Sequence, residues 1–159
     1  MMIDLAVDIA ALIESTITVE KVSVVAGEPA QTSRCSAAYV WGSTIGNSRE
    51  AVDFAGNDKG CVYRRAYEFR YRIDICRDLP ASGKEQTTAQ QLAEATELYD
   101  MADAVWCALA ENASAGTLFD NIGTCEAVTI GTLDFDSPQG DRVSAGGFLR
   151  VTDPCVSGS

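Results

Sequence analysis

Apolar and polar positions alternate along residues 61–77, CVYRRAYEFRYRIDICR. One parity is largely apolar and consists of Tyr63, Arg65, Tyr67, Phe69, Tyr71, Ile73 and Ile75. A period of two places these side chains on one face of a β-strand and the charged ones on the other. At about 3.3 Å per residue the strand would be roughly 50 Å long, whereas a typical strand has about 5–6 residues. We therefore predict one long strand, apolar toward a core on one face only.

Two other stretches have the spacing of amphipathic helices. Residues 3–15 carry an apolar stripe interrupted by acidic residues, and residues 88–113 carry apolar side chains at i, i+3 and i+4. In the longer helix this stripe consists of Leu92, Ala95, Tyr99, Ala102, Trp106, Leu109 and Ala113. Thr87 or Thr88 is a candidate N-cap, Thr88 has a capping-box spacing to Gln91, and Gly116 is a candidate stop. We expect this helix to lie across the long strand.

The remaining pattern is mostly β. Strands are predicted over 20–27, 35–46, 125–135 and 146–152, with a bulge near Gly131. Residues 46–60 are rich in Gly, Asn and Asp and predict an extended flap carrying Val52 and Phe54. The fold class is therefore α+β, with a mostly antiparallel sheet packed against one long and one short helix. We assign residues 1–153 to a single domain and 154–159 to a flexible tail.

The charge balance argues against a nucleic-acid-binding function. The chain has 23 acidic and 12 basic residues and a formal net charge of −11, whereas nucleic-acid affinity comes mainly from Lys and Arg. Such a chain could still line a passage to which DNA must not adhere. No apolar run approaches the roughly 20 residues of a membrane helix. The first residues lack the basic region of a signal peptide, so we expect a helix of the mature domain and synthesis in the cytosol.

The cysteines do not have the spacing of a metal site. No two of them form a C-x-x-C pair and the chain contains no His; they occupy positions 35, 61, 76, 107, 125 and 155. In a cytosolic protein disulfides are also disfavoured. We therefore predict that Cys76 and Cys107 are small buried apolar residues and that Cys155 is an exposed thiol.

No combination of side chains indicates catalysis. Nucleophile motifs, phosphate-binding glycine loops and any paired nucleophile and base are absent from the sequence. Carboxylate pairs such as Asp134 and Asp136 are typical of capping or solvated groups, although a weak divalent-cation site on the loops stays open. The sequence therefore predicts no enzymatic activity, no cofactor and no catalytic or metal-ligating residue.

The long strand concentrates positive charge. Five of the 12 basic residues lie within 14 positions: Arg64, Arg65, Arg70, Arg72 and Arg77. The long helix is acidic, with Glu94, Glu97, Asp100 and Asp103. Complementary patches of this kind set register and partner choice between subunits. We predict that the two sets meet across an interface between identical copies. The alternatives are pairing within one subunit, simple solvation, or contact with nucleic acid.

The order of these elements resembles the tail terminator and related neck proteins of long-tailed bacteriophages. The resemblance rests on DLAVDIAALIEST, YEFRYRIDICRD, TAQQLAEATELYDMADAVWCALAEN and VTIGTLDF…GGFLRVT. It implies an α/β sandwich and a homo-oligomeric ring of six copies that caps the tail tube and joins the head-side connector. DNA would pass through the lumen without specific binding, and the flap with Val52 and Phe54 would reach a neighbour or the tube.

The resemblance also implies location in the virion tail or neck after assembly in the host cytoplasm, with no membrane involved. Two other readings stay open. One is a head–tail stopper or neck protein of the same connector. The other is a small cytosolic ligand-binding or enzymatic domain, which would require a pocket with convergent polar groups.

Overall fold

The computed structural model of the protein describes residues 2–30, 34–48, 61–81, 83–119, 127–152 and 156–157. Two helices and six strands occur in these residues. In chain order they are α1 (Met2–Thr16), β1 (Lys21–Val24), β2 (Ala37–Ser48), β3 (Cys61–Cys76), α2 (Thr88–Ala115), β4 (Ala127–Phe135), β5 (Arg142–Thr152) and β6 (Val156–Ser157). The predicted long strand and both predicted helices are confirmed, with bounds shifted by one or two residues.

Five strands form the main sheet in the order β1-β2-β3-β5-β4. β1 pairs with β2 in parallel, whereas the pairs β2–β3, β3–β5 and β4–β5 are antiparallel. α1 packs against β1 and β2, and α2 packs mainly against β4 and β5. The fold is thus α+β, with a mixed, mostly antiparallel sheet covered on one face by two helices.

The apolar face of β3 forms the centre of the core. Tyr67, Phe69, Tyr71, Ile73 and Ile75 are all buried, as the alternation predicts. Neighbouring strands continue the same face, because the register places apolar side chains of β2 and β5 beside those of β3. Most of this face and the buried side of α1 belong to one core cluster. The exception on this parity is Arg65, which is exposed.

The helix α2 packs through a different stripe from the predicted one. Its buried residues are Leu98, Ala102, Val105 and Leu109, of which the sequence reading included only Ala102 and Leu109. Leu92, Tyr99 and Trp106 are exposed instead. Since these three positions are seven residues apart, they form a second apolar stripe on another side of the helix.

Both ends of α2 are fixed by local chemistry. The N-cap is Thr87, whose hydroxyl accepts a hydrogen bond from the Gln90 backbone N–H, while the Gln90 side chain accepts one from the Thr87 N–H. This capping box lies one residue earlier than the predicted Thr88–Gln91 pair. At the other end Gly116 has φ of 72°, a left-handed conformation that glycine adopts without strain. The predicted stop is confirmed.

The last strands differ from expectation in one respect. The predicted bulge is present, since the pairing of β4 with β5 shifts register between Ile130 and Leu133. Val156 and Ser157, within the predicted tail, form β6 and pair with the first residues of β3. Most of the predicted flap, including Val52 and Phe54, lies outside the described residues.

Tyr71 is buried beside a glycine that makes room for it. A Cβ atom added to Gly147 would lie 2.5 Å from the Tyr71 hydroxyl oxygen. Among the described residues this hydroxyl has no hydrogen-bond partner, and burial raises the pKa of Tyr71 to about 12. An unsatisfied buried hydroxyl destabilises the folded state.

Tyr71→Phe is therefore expected to leave the free energy of unfolding unchanged or raise it by up to about 1–2 kcal/mol at neutral pH. The unfolded tyrosine ionises near pH 10 and the folded one near 12. Wild-type stability should thus fall relative to the variant by about 2 kcal/mol between pH 8 and pH 11.5. Urea titrations at pH 8 and 11.5 measure this difference. If Tyr71→Phe is clearly less stable than the wild type at pH 8, the Tyr71 hydroxyl forms a stabilising hydrogen bond, which contradicts this expectation.

Candidate subunit interface

The sheet face turned away from the helices, which we call the outer face, carries a buried ionic network. Asp74 is fully buried and accepts hydrogen bonds from Arg72 Nε and Nη2, both at 2.9 Å. Arg142 Nη1 donates to the same carboxylate at 3.2 Å, and Ser144 Oγ donates at 2.7 Å. These partners come from β3 and β5, whose register places Asp74 opposite Ser144. The network joins the two strands through one carboxylate.

The segment before β2 covers this network. Arg72 Nη1 donates to the carbonyl oxygen of Pro29 at 3.1 Å, and its guanidinium carbon lies 5.4 Å from the centre of the Tyr39 ring. Arg72 therefore belongs to the interior of the subunit. Arg72 thus pairs within its own subunit, which is one of the alternatives to a contact with a neighbouring subunit.

A disulfide between Cys35 and Cys76 closes the same region, with the two Cα atoms 4.9 Å apart. The prediction that disulfides are disfavoured is wrong for this pair, and Cys76 is not a buried apolar residue. Cys107 is only half-buried and is a free thiol, with Sγ 3.8 Å from Asp103 Oδ1. Partial desolvation and the nearby carboxylates of Asp103 and Glu111 raise the pKa of this thiol. Cys155 lies outside the described residues.

Arg77 and Glu94 also pair within the chain. Arg77 Nε lies 3.0 Å from Glu94 Oε1, and both side chains are largely buried. Gln86 bridges them, since it accepts from Arg77 Nη2 at 2.9 Å and donates to Glu94 at 3.2 Å. This contact ties the end of β3 to the first turns of α2. Arg77 and Glu94, both predicted to lie in the interface, therefore also pair within the subunit.

Other arginines of the strands point to solvent. Arg65 is exposed, and the Arg70 side chain is 53% exposed. Arg70 lies on the outer face, 5.8 Å from the centre of the Phe148 ring and 3.6 Å from Glu68. Arg150 of β5 is exposed on the same face, opposite Glu68 in the register. Arg64 lies in β3, but its side chain is outside the described part. Contact with a neighbouring subunit stays a prediction for Arg64, Arg65 and Arg70, and Arg150 was not part of that prediction.

The charged residues on the exposed side of α2 are all acidic. Glu97, Asp100 and Asp103 are exposed, and the helix contains no Lys or Arg. No side chain of the helix itself can therefore neutralise these carboxylates. Because α2 lies on the helix-bearing face, its carboxylates and the outer-face arginines are on opposite sides of the sheet.

A groove between α2 and β4 adjoins these carboxylates. It has a volume of about 490 Å³ and is lined by Tyr99, Ala102, Asp103, Trp106, Thr132, Leu133 and Phe135. The predicted apolar stripe of the long helix includes Tyr99 and Trp106. Phe135 is not among the predicted contact residues. The seven-residue spacing of Leu92, Tyr99 and Trp106 is the sequence pattern that indicates this exposed apolar surface, because it forms a second stripe beside the buried one.

The outer face has a smaller cavity of about 300 Å³. Its floor is Gly146, which the register places between Arg72 and Asp134. Trp41 and Phe148 contribute aromatic walls, and Glu28, Arg70 and Asp136 contribute charged groups. The volume is at the lower end of the range for small-molecule sites.

Neither described helix has the combination of length and apolar character that a membrane crossing requires. Within the described ranges, no group of three or more Cys, Asp and Glu side chains is arranged to hold a metal ion. No protein-family model matches the chain, and no curated protein matches it significantly.

Proposed function

We propose that the protein is a structural subunit of a homo-oligomeric ring, of the tail-terminator class of long-tailed bacteriophages. Six copies would cap the tail tube, bind the tube protein and the head-side connector, and leave a lumen through which DNA passes. The observation that carries the proposal is the separation of charge across the sheet. Exposed carboxylates of α2 lie on one side, and exposed Arg70 and Arg150 lie on the other.

Such a distribution favours head-to-tail assembly. A two-fold contact between helix-bearing faces would place the α2 carboxylates together, whereas a head-to-tail contact can bring them to Arg70 and Arg150. The outer face also carries exposed Asp134 and Asp136, so the arginines occupy only part of it. Head-to-tail contacts close into a ring when the rotation between copies allows it. The α+β architecture, with one long strand and two helices on one face, also agrees with the sandwich that the resemblance implies.

The Cys35–Cys76 disulfide is compatible with a virion protein. Although the host cytosol disfavours such bonds, a particle released from the cell meets oxidising conditions in which they persist. The bond joins Cys76 at the end of β3 to Cys35 just before β2, and Cys76 shares a cavity with the first turns of α2.

The direct test is light-scattering mass and negative-stain imaging of the concentrated protein, with and without isolated tail tubes. Six copies of the 16.9 kDa chain would give a ring of about 101 kDa, and caps should appear on tube ends. A monomer that becomes a ring only on tubes also supports the proposal. A protein that stays monomeric and ignores tubes would overturn it.

The outer-face cavity favours a second candidate, a ligand-binding domain. Aromatic walls, the two arginines Arg70 and Arg72, and three carboxylates converge there. A small molecule that co-purifies with the protein and is lost on Trp41→Ala would support this candidate over the ring. Binding of the protein to a stopper rather than to tubes in a reconstituted complex would instead indicate the neck protein.

A further inference from the structure

The aromatic side chains of the α2–β4 groove are held in place although they are exposed. Tyr99, Phe135 and Trp106 are 55%, 48% and 38% exposed. The rings of Tyr99 and Phe135 meet edge to face, with their centres 4.8 Å apart. The indole Nε1 of Trp106 donates to the Gly131 carbonyl oxygen at 3.0 Å. Rings that are already ordered lose little conformational entropy when a partner binds.

The groove is suited to binding a cationic group. Asp103 lines the groove, and Asp100 lies three residues earlier on the exposed side of the same helix. Since α2 contains no Lys or Arg, these carboxylates have no basic group on their own helix. A guanidinium can stack on aromatic rings and pair with a carboxylate at the same time, which an ammonium does less well.

The chain itself supplies suitable arginines, but not to its own groove. Leu133 and Phe135 pair with Gly147 and Ala145 on the helix-bearing side of the sheet, whereas Arg70 and Phe148 share the outer face. Arg70 and Arg150 therefore project away from the groove of their own copy. The exposed Asp134 and Asp136 lie toward the opposite end of the outer face from Arg150. Only a neighbouring copy can bring the arginine end of this face to the groove.

We propose that the α2–β4 groove is the docking site for a second copy of this chain. Arg70 and Arg150 on the outer face of one copy enter the groove of the next, stack against Tyr99 and Trp106, and pair with Asp100 and Asp103. This inference rests on the proposed ring, because it names the surfaces that close it. It also narrows the predicted interface, since Arg72, Arg77 and Glu94 are engaged within the subunit and Glu97 lies outside the groove.

Charge reversal in two separate variants tests the docking. Asp100→Lys/Asp103→Lys and Arg70→Glu/Arg150→Glu should each weaken self-association at least about 10-fold in analytical ultracentrifugation at low salt. An equimolar mixture should recover it, because each reversed face meets a complementary face on the other variant. Assemblies in the mixture should contain even numbers of copies, with the two variants alternating.

Matched variants carry the same charge changes on other exposed positions. Glu14→Lys/Glu85→Lys and Lys21→Glu/Lys84→Glu should associate as the wild type does. Circular dichroism and thermal unfolding establish that all variants are folded, and recovery in the mixture shows this independently.

The outcomes separate this inference from the proposed function. The groove is not the docking site if both reversed variants still form the wild-type ring, or if the mixture does not recover association. Neither outcome contradicts the proposed ring itself. A wild-type protein that stays monomeric at every concentration, and that forms no ring on tail tubes either, overturns self-docking together with the proposed function. A monomer that forms a ring only on tubes moves the charge-reversal test to the tubes, where reversed variants that each cap tubes as the wild type does would overturn the groove alone.

Discussion

Replacing Asp74 with alanine is expected to lower the free energy of unfolding by about 3–5 kcal/mol. The carboxylate is fully buried and accepts hydrogen bonds from Arg72, Arg142 and Ser144. Its removal takes away the carboxylate that two guanidinium groups share, and each of these groups is only 5% exposed. Unfolding in urea, followed by circular dichroism, measures the loss.

The matched control is Asp134→Ala on the neighbouring part of the outer face. Asp134 is exposed, so its replacement should change stability by no more than about 0.5 kcal/mol. Equal effects of the two substitutions would contradict the assignment of Asp74 as the centre of a buried network. Asp74→Asn separates charge from shape, since the amide keeps one acceptor but places its own donors against those of the arginines.

Loss of the Cys35–Cys76 disulfide is expected to cost about 3–4 kcal/mol, from the closure of a long loop in the unfolded chain. The two residues are 41 positions apart, so the bond restricts a large part of the unfolded ensemble. The double variant Cys35→Ser/Cys76→Ser should show this loss in urea unfolding, and the wild type in reducing buffer should match it.

Cys107→Ser is the control, because Cys107 is a free thiol on α2. It should leave stability nearly unchanged in both oxidising and reducing buffer. A wild type that is equally stable with and without reductant, although the bond is present in the one and absent in the other, would contradict the expected restriction of the unfolded chain. Mass spectrometry of the alkylated protein reports directly whether the bond is present.

The β3 strand could be predicted because its signal is local. Period-two alternation assigns each side chain to a face without knowledge of the rest of the chain, and Tyr67 through Ile75 are buried accordingly. The same parity placed Arg72 on the outer face correctly. That Pro29 and Tyr39 cover it depends on a segment about 40 residues away, which no local pattern reports.

The face of α2 that packs on the sheet could not be predicted, because the helix offers two apolar stripes. Leu98 and Val105 are buried, whereas Leu92, Tyr99 and Trp106 are exposed, and both sets have helical spacing. The choice between them depends on the sheet and on α1, which are distant in sequence. The charged residues themselves can be recognised in the sequence. Which of them pair within the subunit and which are exposed depends on the three-dimensional arrangement of strands and helix.

The disulfide was missed for a related reason. The sequence gives the positions of the cysteines but not their distances, and the expectation of a reducing compartment argued against any bond. Pairing of Cys35 with Cys76 follows from the β2–β3 register, which begins two residues after Cys35 and brings Ala37 opposite Asp74. A correct prediction of the β2–β3 register would therefore place the two cysteines opposite each other.

The absence of basic residues from α2 extends well beyond the helix, since residues 85–141 contain neither Lys nor Arg. A complete tryptic digest therefore leaves residues 85–142 as one long peptide that holds α2 and β4 together. Amine-directed crosslinkers and labels cannot attach anywhere along it, so carboxylate-directed reagents are required to map this side of the protein. Lysine acetylation, ubiquitination and arginine methylation are likewise confined to the rest of the chain.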